Sequence, residues 1–212
     1  MNVVLLGIPG VGKGTYAGIL SKNYKIPHIS PGQILRDEVK KGTKLGKKVE
    51  EIINRGDLVP DEIVIQIVRD RLEKDDCKNG FLLDGFPRTV PQARALEKIK
   101  KIDKVLNFVA SQKVIMERLG GRRICRQCGA IFHVKNIPPK VSGVCDHCGG
   151  ELYQREDEKT EAIKIRMKEY EKKTKPLINF YKKGNLLINI DANYPIEEID
   201  KIISQCENAF KK

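Results

Sequence analysis

The sequence predicts an α/β fold, in which a mostly parallel sheet carries helices on both faces. Short apolar segments alternate with longer amphipathic ones along most of the chain, which is the pattern expected of parallel strands joined by crossover helices. The first apolar segment runs directly into a glycine-rich turn, and 212 residues suffice for one domain with small insertions. Ligands of such sheets bind beyond the carboxyl ends of the strands, so the functional residues are expected there.

Four strands are predicted from short apolar runs bounded by turn residues: 2–6, 80–84, 104–109 and 186–190. Apolar residues at helical spacing predict the helices: 13–23, 33–41, 45–54, 62–74, 91–101, 111–119, 158–183 and 195–210. Between 121 and 158 the helical periodicity stops, and cysteines, glycines and prolines concentrate. This stretch is therefore predicted to form a small inserted subdomain.

The turn after the first strand has the composition of a phosphate-binding loop, GIPGVGKGT from Gly7 to Thr15. Glycines let successive backbone N–H groups face an anion, and the following helix adds the positive end of its dipole. Lys13 would bring a full charge to the outer phosphates and Thr15 a hydroxyl near them. Gly14 stands where the general motif has Ser or Thr. We predict that this loop binds a nucleoside triphosphate.

A second polar cluster follows the strand predicted at 80–84. Asp84 ends that strand, a position from which a carboxylate can hold Mg²⁺ through its waters. Arg88 follows four residues later, and Arg36 lies in a separate helical segment. Arginine suits phosphate because its planar guanidinium donates paired hydrogen bonds and stays charged. No nucleophile or conventional general base stands out, which is expected where phosphoryl transfer relies on positioning and charge neutralisation.

Four cysteines in the inserted stretch predict a metal site. Cys125 and Cys128, and Cys145 and Cys148, form two CxxC pairs separated by sixteen residues, and each pair is followed by glycine. Four thiolates match the closed tetrahedral sphere of structural Zn²⁺, which leaves no position for a catalytic water. Fe²⁺ or another thiophilic metal would suit the same ligands. The nearby His133 and His147 are not needed as ligands, and His28 is interpreted as a packed residue.

The net charge of +12 admits nucleic-acid binding, because a basic surface attracts phosphate backbones. The lysine doublets, however, are spread along the whole chain beside acidic residues, and aromatic content is only 6% with no Trp. Solvated helix faces are the better interpretation. No apolar run approaches the ~20 residues of a membrane span, and the start lacks a signal-peptide pattern. We expect a cytoplasmic monomer.

Taken together, these segments resemble the adenylate kinase family, in its long form with a zinc-binding lid. The resemblance covers essentially the whole chain and rests on segments in a fixed order: 7–15, 28–36, 56–61, 81–93, 121–123, the cysteine quartet and 154–166. It implies a core of the P-loop NTPase type over 1–29, 60–120 and 159–212, a helical AMP-binding subdomain over 30–59 and a small β-rich zinc-ribbon lid over 121–158. The implied reaction is MgATP + AMP ⇌ 2 ADP, with lid closure excluding water, in adenine nucleotide homeostasis.

The resemblance also implies roles for individual residues. Those implied for ATP are Gly10, Val11, Gly12, Lys13, Gly14, Thr15, Arg118 and Arg122. Those implied for AMP are Pro31, Arg36, Asp57, Leu58, Val59, Gly85, Arg88, Gln92, Arg155 and Arg166. The implied catalytic set is Lys13, Asp84, Arg88, Arg122, Arg155 and Arg166, with Asp84 organising Mg²⁺ and Asp157 helping to tie the closed lid. The implied partners are ATP, AMP and ADP, without nucleic acid or membrane.

Three positions depart from the usual pattern of this family. Pro31 stands where Thr is usual, Gln33 where Asp is usual, and Glu158 replaces a second Asp after Arg155. Pro31 removes a hydroxyl and a backbone donor from the base pocket, so a nucleoside monophosphate kinase with another acceptor base stays open. Gln92 favours AMP, because the related uridylate/cytidylate kinases typically have Asn there. A less favoured alternative is a zinc-ribbon ATPase that binds nucleic acid, suggested by the charge.

Overall fold

The computed structural model describes residues 1–211. Within them the strands are β1 Asn2–Gly7, β2 His28–Ile29, β3 Phe81–Asp84, β4 Lys104–Val109, β5 Arg122–Cys125, β6 Ile131–His133, β7 Leu152–Tyr153 and β8 Leu187–Asp191. The α-helices are α1 Lys13–Tyr24, α2 Pro31–Lys40, α3 Lys44–Arg55, α4 Asp61–Leu72, α5 Val90–Ile99, α6 Gln112–Gly121, α7 Thr160–Glu169, α8 Pro176–Lys183 and α9 Ile199–Lys211. The prediction of alternating strands and helices is confirmed.

The main sheet has five parallel strands in the order β2-β3-β1-β4-β8. The central strand β1 pairs with β3 on one side and with β4 on the other, and Leu5 of β1 lies opposite Asp84 of β3. Parallel pairing brings the carboxyl ends of all five strands to one edge. The glycine-rich turn after β1 and Asp84 at the end of β3 therefore meet at that edge, as the sequence predicts.

Each face of the sheet carries its own hydrophobic cluster, because successive side chains of a strand point to opposite faces. Val3 and Leu5 of β1 belong to the cluster that includes residues of α1, α6 and α9. Val4 and Leu6 belong to the other cluster, with residues of α4, α5 and α8. Helices thus cover both faces, and the predicted fold class is confirmed.

A second, small sheet lies between α6 and α7 in the chain. Its central strand β5 pairs antiparallel with β6 and with β7. Its hydrophobic cluster is limited to four buried residues, Cys125, Phe132, Cys145 and Leu152, with two further partly buried side chains packed against them. So small a core is weak by itself, and a bound metal would compensate for it.

Three features of the chain differ from the sequence prediction. The strand β2 was not predicted, since two residues are too few to show alternation. The predicted helix 158–183 is divided into α7 and α8 by a π-helical turn, Tyr170–Thr174. Pro176 has no N–H to donate, and the turn instead closes through a bond from Lys175 N to Tyr170 O, 2.8 Å. The last helix begins at Ile199, after a 3₁₀ turn at Ile196–Glu198.

The helices of residues 1–211 are all too short or too polar to cross a membrane.

Candidate active site

A cavity of about 1170 Å³ opens at the carboxyl edge of the main sheet. Its walls come from the turn after β1, from the α2–α3 segment, from the small β5–β7 sheet and from the loop between β8 and α9. The α2–α3 segment and the small sheet also touch each other, because Lys40 Nζ donates a hydrogen bond to Arg126 O at 2.8 Å. The cavity is therefore bounded on several sides by separate parts of the chain.

The turn after β1 has the geometry that binds phosphate. Gly12 has a φ of +106° and caps α1, whose first turn contains no acidic residue. Gly10 has a φ of +86°, and a Cβ there would lie 2.5 Å from Leu119 Cγ. Glycine is needed at both positions, because only it adopts this backbone without strain. The turn thus offers backbone N–H groups and a positive helix end to the cavity.

Lys13, the first residue of α1, has its ammonium group inside this turn. Its Nζ donates hydrogen bonds to Gly7 O at 2.7 Å and to Ile8 O at 3.1 Å. Burial lowers the pKa of Lys13 from 10.5 to about 8; Asp84 opposes the shift, while the charges of nearby arginines add to it. An anion bound in the cavity would raise the pKa of Lys13 again, because its negative charge would stabilise the ammonium group and offset the repulsion from the arginines.

Asp84 lies beside Lys13 at the end of β3. His28, the first residue of β2, donates through Nε2 to Asp84 Oδ2 at 3.3 Å, since a carboxylate can only accept. Burial would raise the pKa of Asp84, but the bond from His28 and the charge of Lys13 outweigh it, so the pKa is lowered. Asp84 is thus an ionised acid at the cavity wall. His28 was interpreted as a packed residue, and its contact with Asp84 shows that it also belongs to this site.

Three arginines reach the cavity from the small sheet and the segment after it, and each is paired with a carboxylate. Arg122 pairs with the fully buried Glu158. Arg155 pairs with Asp157, its Nε lying 2.7 Å from Asp157 Oδ1. Arg166 Nη1 approaches the other oxygen of Asp157 at 3.1 Å. Burial lowers the pKa of Arg122, and repulsion from the positive charges of other arginines lowers it further.

Two further arginines, Arg36 on α2 and Arg88 after β3, are held differently. Arg36 donates to the side-chain oxygen of Gln33 through Nε at 3.2 Å and Nη2 at 3.0 Å. Arg88 Nε donates to Gly85 O at 2.8 Å. Both groups converge above Gly32, where a Cβ would lie 3.4 Å from Arg36 Nη1 and 3.7 Å from Arg88 Nη2. Two adjacent guanidinium groups form a strong anion site.

Most of the residues proposed from the sequence lie around this one cavity. They are Gly10, Gly12, Lys13, Gly14, Thr15, Arg36, Leu58, Asp84, Gly85, Arg88, Arg118, Arg122, Arg155 and Arg166. The structure does not bring Val11, Pro31, Asp57, Val59 and Gln92 to the cavity wall. Of these, Val11, Pro31, Val59 and Gln92 are buried, and Asp57 pairs with Arg55 at 3.1 Å.

Gln92 lies behind Arg88 and has a fixed orientation. Its Oε1 accepts from Arg88 N at 2.7 Å, and its Nε2 donates to Asp61 Oδ1 at 2.7 Å. Thr89 Oγ1 donates to the other oxygen of Asp61 at 2.8 Å. The Oε1 atom of Gln92 keeps one unused acceptor position, and its Nε2 atom keeps one unused N–H donor.

Arg118 and the β8–α9 loop form a further part of the cavity wall. Of the two, only Arg118 was predicted from the sequence. Arg118 donates through Nη1 to Val11 O at 2.8 Å and through Nη2 to Tyr194 O at 2.7 Å. The guanidinium plane is thereby fixed between the phosphate loop and Tyr194. The loop residues Asn193 to Glu197 line the cavity but carry no motif, and only the rule that ligands bind at the carboxyl edge pointed to them.

The four cysteines of the small sheet come together as predicted. Their sulfur atoms all lie within 4.8 Å of one another, with Cys125 Sγ 3.4 Å from Cys148 Sγ and Cys128 Sγ 3.6 Å from Cys145 Sγ. Zn–S bonds of about 2.3 Å in a tetrahedron need sulfur separations of roughly 3.8 Å. The donor set fits zinc. His133 is not among these ligands, because its Nδ1 accepts from the backbone N–H groups of Lys135 and Asn136 and its Nε2 bonds to Glu117 O at 3.1 Å.

Comparison with known proteins agrees with this geometry. The family model described as adenylate kinase matches residues 5–186. The adenylate kinase of Caldicellulosiruptor bescii is 60% identical over 204 residues, 94% of each chain. That of Caldicellulosiruptor saccharolyticus is 55% identical over 95% of this chain and 96% of its own. That of Methanocella arvoryzae is 50% identical over 100% of this chain and 99% of its own. The chain belongs to the adenylate kinase family.

Proposed function

We propose that the chain catalyses the reversible reaction MgATP + AMP ⇌ 2 ADP. The observation that carries this proposal is a single cavity that joins a phosphate-binding loop to seven arginines from separate parts of the chain. One nucleotide needs only the loop and its lysine. A second cationic group, formed by Arg36 and Arg88, supports a second phosphate-bearing substrate that faces the first.

The donor ATP would bind at the turn after β1. Backbone N–H groups from Gly10 to Thr15, including those of Val11, Gly12 and Gly14, and the ammonium of Lys13 would hold its phosphates. Arg118, fixed against the loop, would lie against the adenine, and Arg122 would reach the phosphates. Asp84, ionised and beside Lys13, would hold Mg²⁺, which supplies neutralisation of the phosphate charge when bound.

The acceptor AMP would bind with its phosphate on Arg36 and Arg88. Neither guanidinium has a carboxylate within 4.0 Å among residues 1–211, which supports binding of a dianionic phosphate. The base pocket would be formed by Pro31, Gly85, Gln92 and the segment from Asp57 through Leu58 to Val59. Gln92 would meet the base with the donor and acceptor positions that Arg88 and Asp61 leave free.

Transfer would proceed directly between the two bound nucleotides. The acceptor phosphate oxygen attacks the γ-phosphorus, the bond to the β-bridging oxygen breaks, and ADP forms on both sides. Arg155 and Arg166 would stabilise the charge on the moving phosphoryl group, assisted by Lys13, Arg88 and Arg122. Catalysis then depends on alignment and on exclusion of water, which would otherwise accept the phosphoryl group.

Water exclusion would be the task of two moving parts. We assign the core to 1–29, 60–120 and 159–212, the AMP-binding subdomain to 30–59 and the lid to 121–158. The bond from Lys40 to Arg126 O supports closure of these two parts on each other. Zn²⁺ on the four cysteines would stabilise the lid sheet and take no part in the chemistry. None of the six cysteines forms a disulfide, which suits a reducing cytoplasm. We also expect a monomer.

The test is phosphoryl transfer from MgATP to AMP, GMP, CMP, UMP and dTMP, with a control that lacks an acceptor. We expect a strong preference for AMP and negligible hydrolysis. Preference for another monophosphate would keep the mechanism and change the acceptor, the alternative that Pro31 leaves open. Hydrolysis in the control without transfer to any acceptor would overturn the proposal and favour the ATPase that binds nucleic acid; retention on heparin that falls steeply with salt would support that outcome.

A further inference from the structure

The loop after β3 carries Arg88 into the cavity and belongs to neither a strand nor a helix. It covers residues 85–89, between Asp84 at the end of β3 and Val90 at the start of α5. No ladder of backbone hydrogen bonds holds such a loop, so the position of Arg88 depends on bonds from neighbouring elements. Those bonds indicate which further residues the acceptor site needs.

Three hydrogen bonds hold Arg88, and each has a different partner. Within the loop, Arg88 Nε donates to Gly85 O at 2.8 Å. On α5, Gln92 Oε1 accepts from Arg88 N at 2.7 Å. Thr174 Oγ1, 86 residues along the chain, donates to Arg88 O at 2.9 Å. Thr174 is thus the long-range partner in this set.

The π-helical turn between α7 and α8 accounts for the position of Thr174. Backbone bonds in such a turn join residues five apart, here Lys175 N and Tyr170 O, so residues five apart come onto the same face. Glu169 and Thr174 are five apart, and both line the cavity together with Tyr170. In an α-helix, with about 3.6 residues per turn, Glu169 and Thr174 would lie on different faces. The turn therefore keeps the Thr174 hydroxyl on the cavity side.

The bond from Thr174 also joins two segments whose charges repel each other. The helix α7, which leads into the π turn, carries Arg166. Burial, and then the charge of Arg166, lower the pKa of Arg88 from 12.5 to about 10. Two guanidinium groups held close together without an anion push their segments apart. Thr174 opposes this separation through the backbone of Arg88, so every N–H group of that guanidinium stays free of it.

We propose that Thr174 is a positioning residue for the acceptor phosphate: its hydroxyl ties the Arg88 loop to the π turn and holds the Arg88 guanidinium beside that of Arg36. The inference rests on the proposed function, in which Arg36 and Arg88 bind the phosphate of AMP. Without this bond the loop keeps its contacts with Gly85 and Gln92, so Arg88 would stay in the cavity but lose its fixed position. A change at Thr174 should therefore weaken AMP binding without abolishing it.

The experiment compares Thr174→Val and Thr174→Ser with a matched control in the same part of the chain. Valine keeps the branched shape of threonine but cannot donate, whereas serine keeps the hydroxyl. The control is Thr160→Val, because Thr160 begins α7, is exposed and does not line the cavity. The same hydroxyl is thus removed away from the acceptor site.

For Thr174→Val we expect the KM for AMP, and the Kd for AMP in calorimetric titration without ATP, to rise roughly fivefold, the effect of losing one hydrogen bond of ~1 kcal/mol. The KM for ATP should stay within about twofold. Thr174→Ser should stay within about twofold of the parent in all three values, and Thr160→Val should change none of them. A general loss of structure would raise the KM for both substrates and would not separate valine from serine.

A double-mutant cycle tests whether Thr174 acts through Arg88. In the Arg88→Ala background, Thr174→Val should change kcat/KM for AMP by less than about twofold, because the side chain that it positions is gone. Three results would overturn the inference: a KM and Kd for AMP within twofold of the parent in Thr174→Val, an equal effect of Thr174→Ser, or an undiminished effect in the Arg88→Ala background.

Hydrogen exchange of residues 85–89 provides a readout that needs no nucleotide. The backbone N–H groups of this loop should exchange severalfold faster in Thr174→Val than in the parent, and at the parent's rate in Thr174→Ser. An unchanged rate in Thr174→Val would show that the hydroxyl does not hold the loop and would overturn the inference. Failure of the parent chain to phosphorylate AMP would instead count against the proposed function, and the exchange rates would still decide whether Thr174 holds the loop.

Discussion

Binding of MgATP should take up protons near pH 8, because Lys13 is only partly charged in the free protein. Burial holds the pKa of Lys13 at about 8, so at pH 8 about half of the molecules carry a neutral lysine. Phosphates beside the ammonium would restore its pKa towards 10.5. Each molecule that binds should therefore take up about half a proton at pH 8 and almost none at pH 6.

The sign of the pH effect on affinity follows from the same values. Ligand binding favours the protonated lysine, so affinity is fully present below the free pKa and falls as pH rises through it. Between pH 7 and pH 9 the expected loss is about tenfold, since the protonated fraction of a group with a pKa of about 8 falls by that factor. The phosphates of MgATP are already ionised in this range and add little.

Isothermal titration calorimetry measures the uptake directly. MgATP is titrated without AMP, at pH 8, in buffers of different ionisation enthalpy, and the slope of observed against ionisation enthalpy gives the protons bound. Lys13→Arg is the matched control, because arginine keeps the charge but does not titrate here. It should show no uptake from this position. A parent enthalpy independent of buffer, together with a flat affinity from pH 7 to pH 9, would refute the reasoning from burial.

Two substitutions test the remaining assignments. Arg88→Ala should lower phosphoryl transfer by about 100-fold or more in a coupled assay. The circular dichroism spectrum should not change, because the Arg88 guanidinium bonds to Gly85 O and lines the cavity rather than packing in the core. Near-normal transfer would contradict its role. Cys128→Ser should lower the thermal midpoint and the zinc content measured by mass spectrometry more than it lowers kcat. An unchanged midpoint would show that no metal stabilises the small sheet.

The main features of the fold were predictable because they depend on local patterns. The run Val3 to Leu6 gives a buried strand, and Gly10, Gly12 and Lys13 give a turn whose backbone only glycine can adopt. The spacing of the four cysteines predicted that they cluster, without any knowledge of the small sheet around them. In each case the pattern that predicts the structure lies within a short stretch of the chain, so it can be recognised in the sequence alone.

Features that depend on distant contacts were not predictable in this way. The two residues of β2 form a strand only because β3 offers an open edge, and this places His28 against Asp84. The break near Pro176 was missed because the charged amphipathic pattern continues through the π turn. The pairing of arginines with acids depends on how separate segments pack, and no spacing in the sequence reports it.

The order of strands has a consequence for how the chain can be divided. The last strand, β8, pairs with β4 from Val105–Leu187 to Val109–Asp191, yet the whole small sheet lies between them in the chain. Residues on either side of that sheet are therefore held together by the core itself. Val134 and Val141, about 50% and 61% exposed, mark a stretch where the backbone can be cut. Two fragments divided there would still share the pairing of β4 with β8 and that of β5 with β7, so we expect them to reassemble when they are expressed separately.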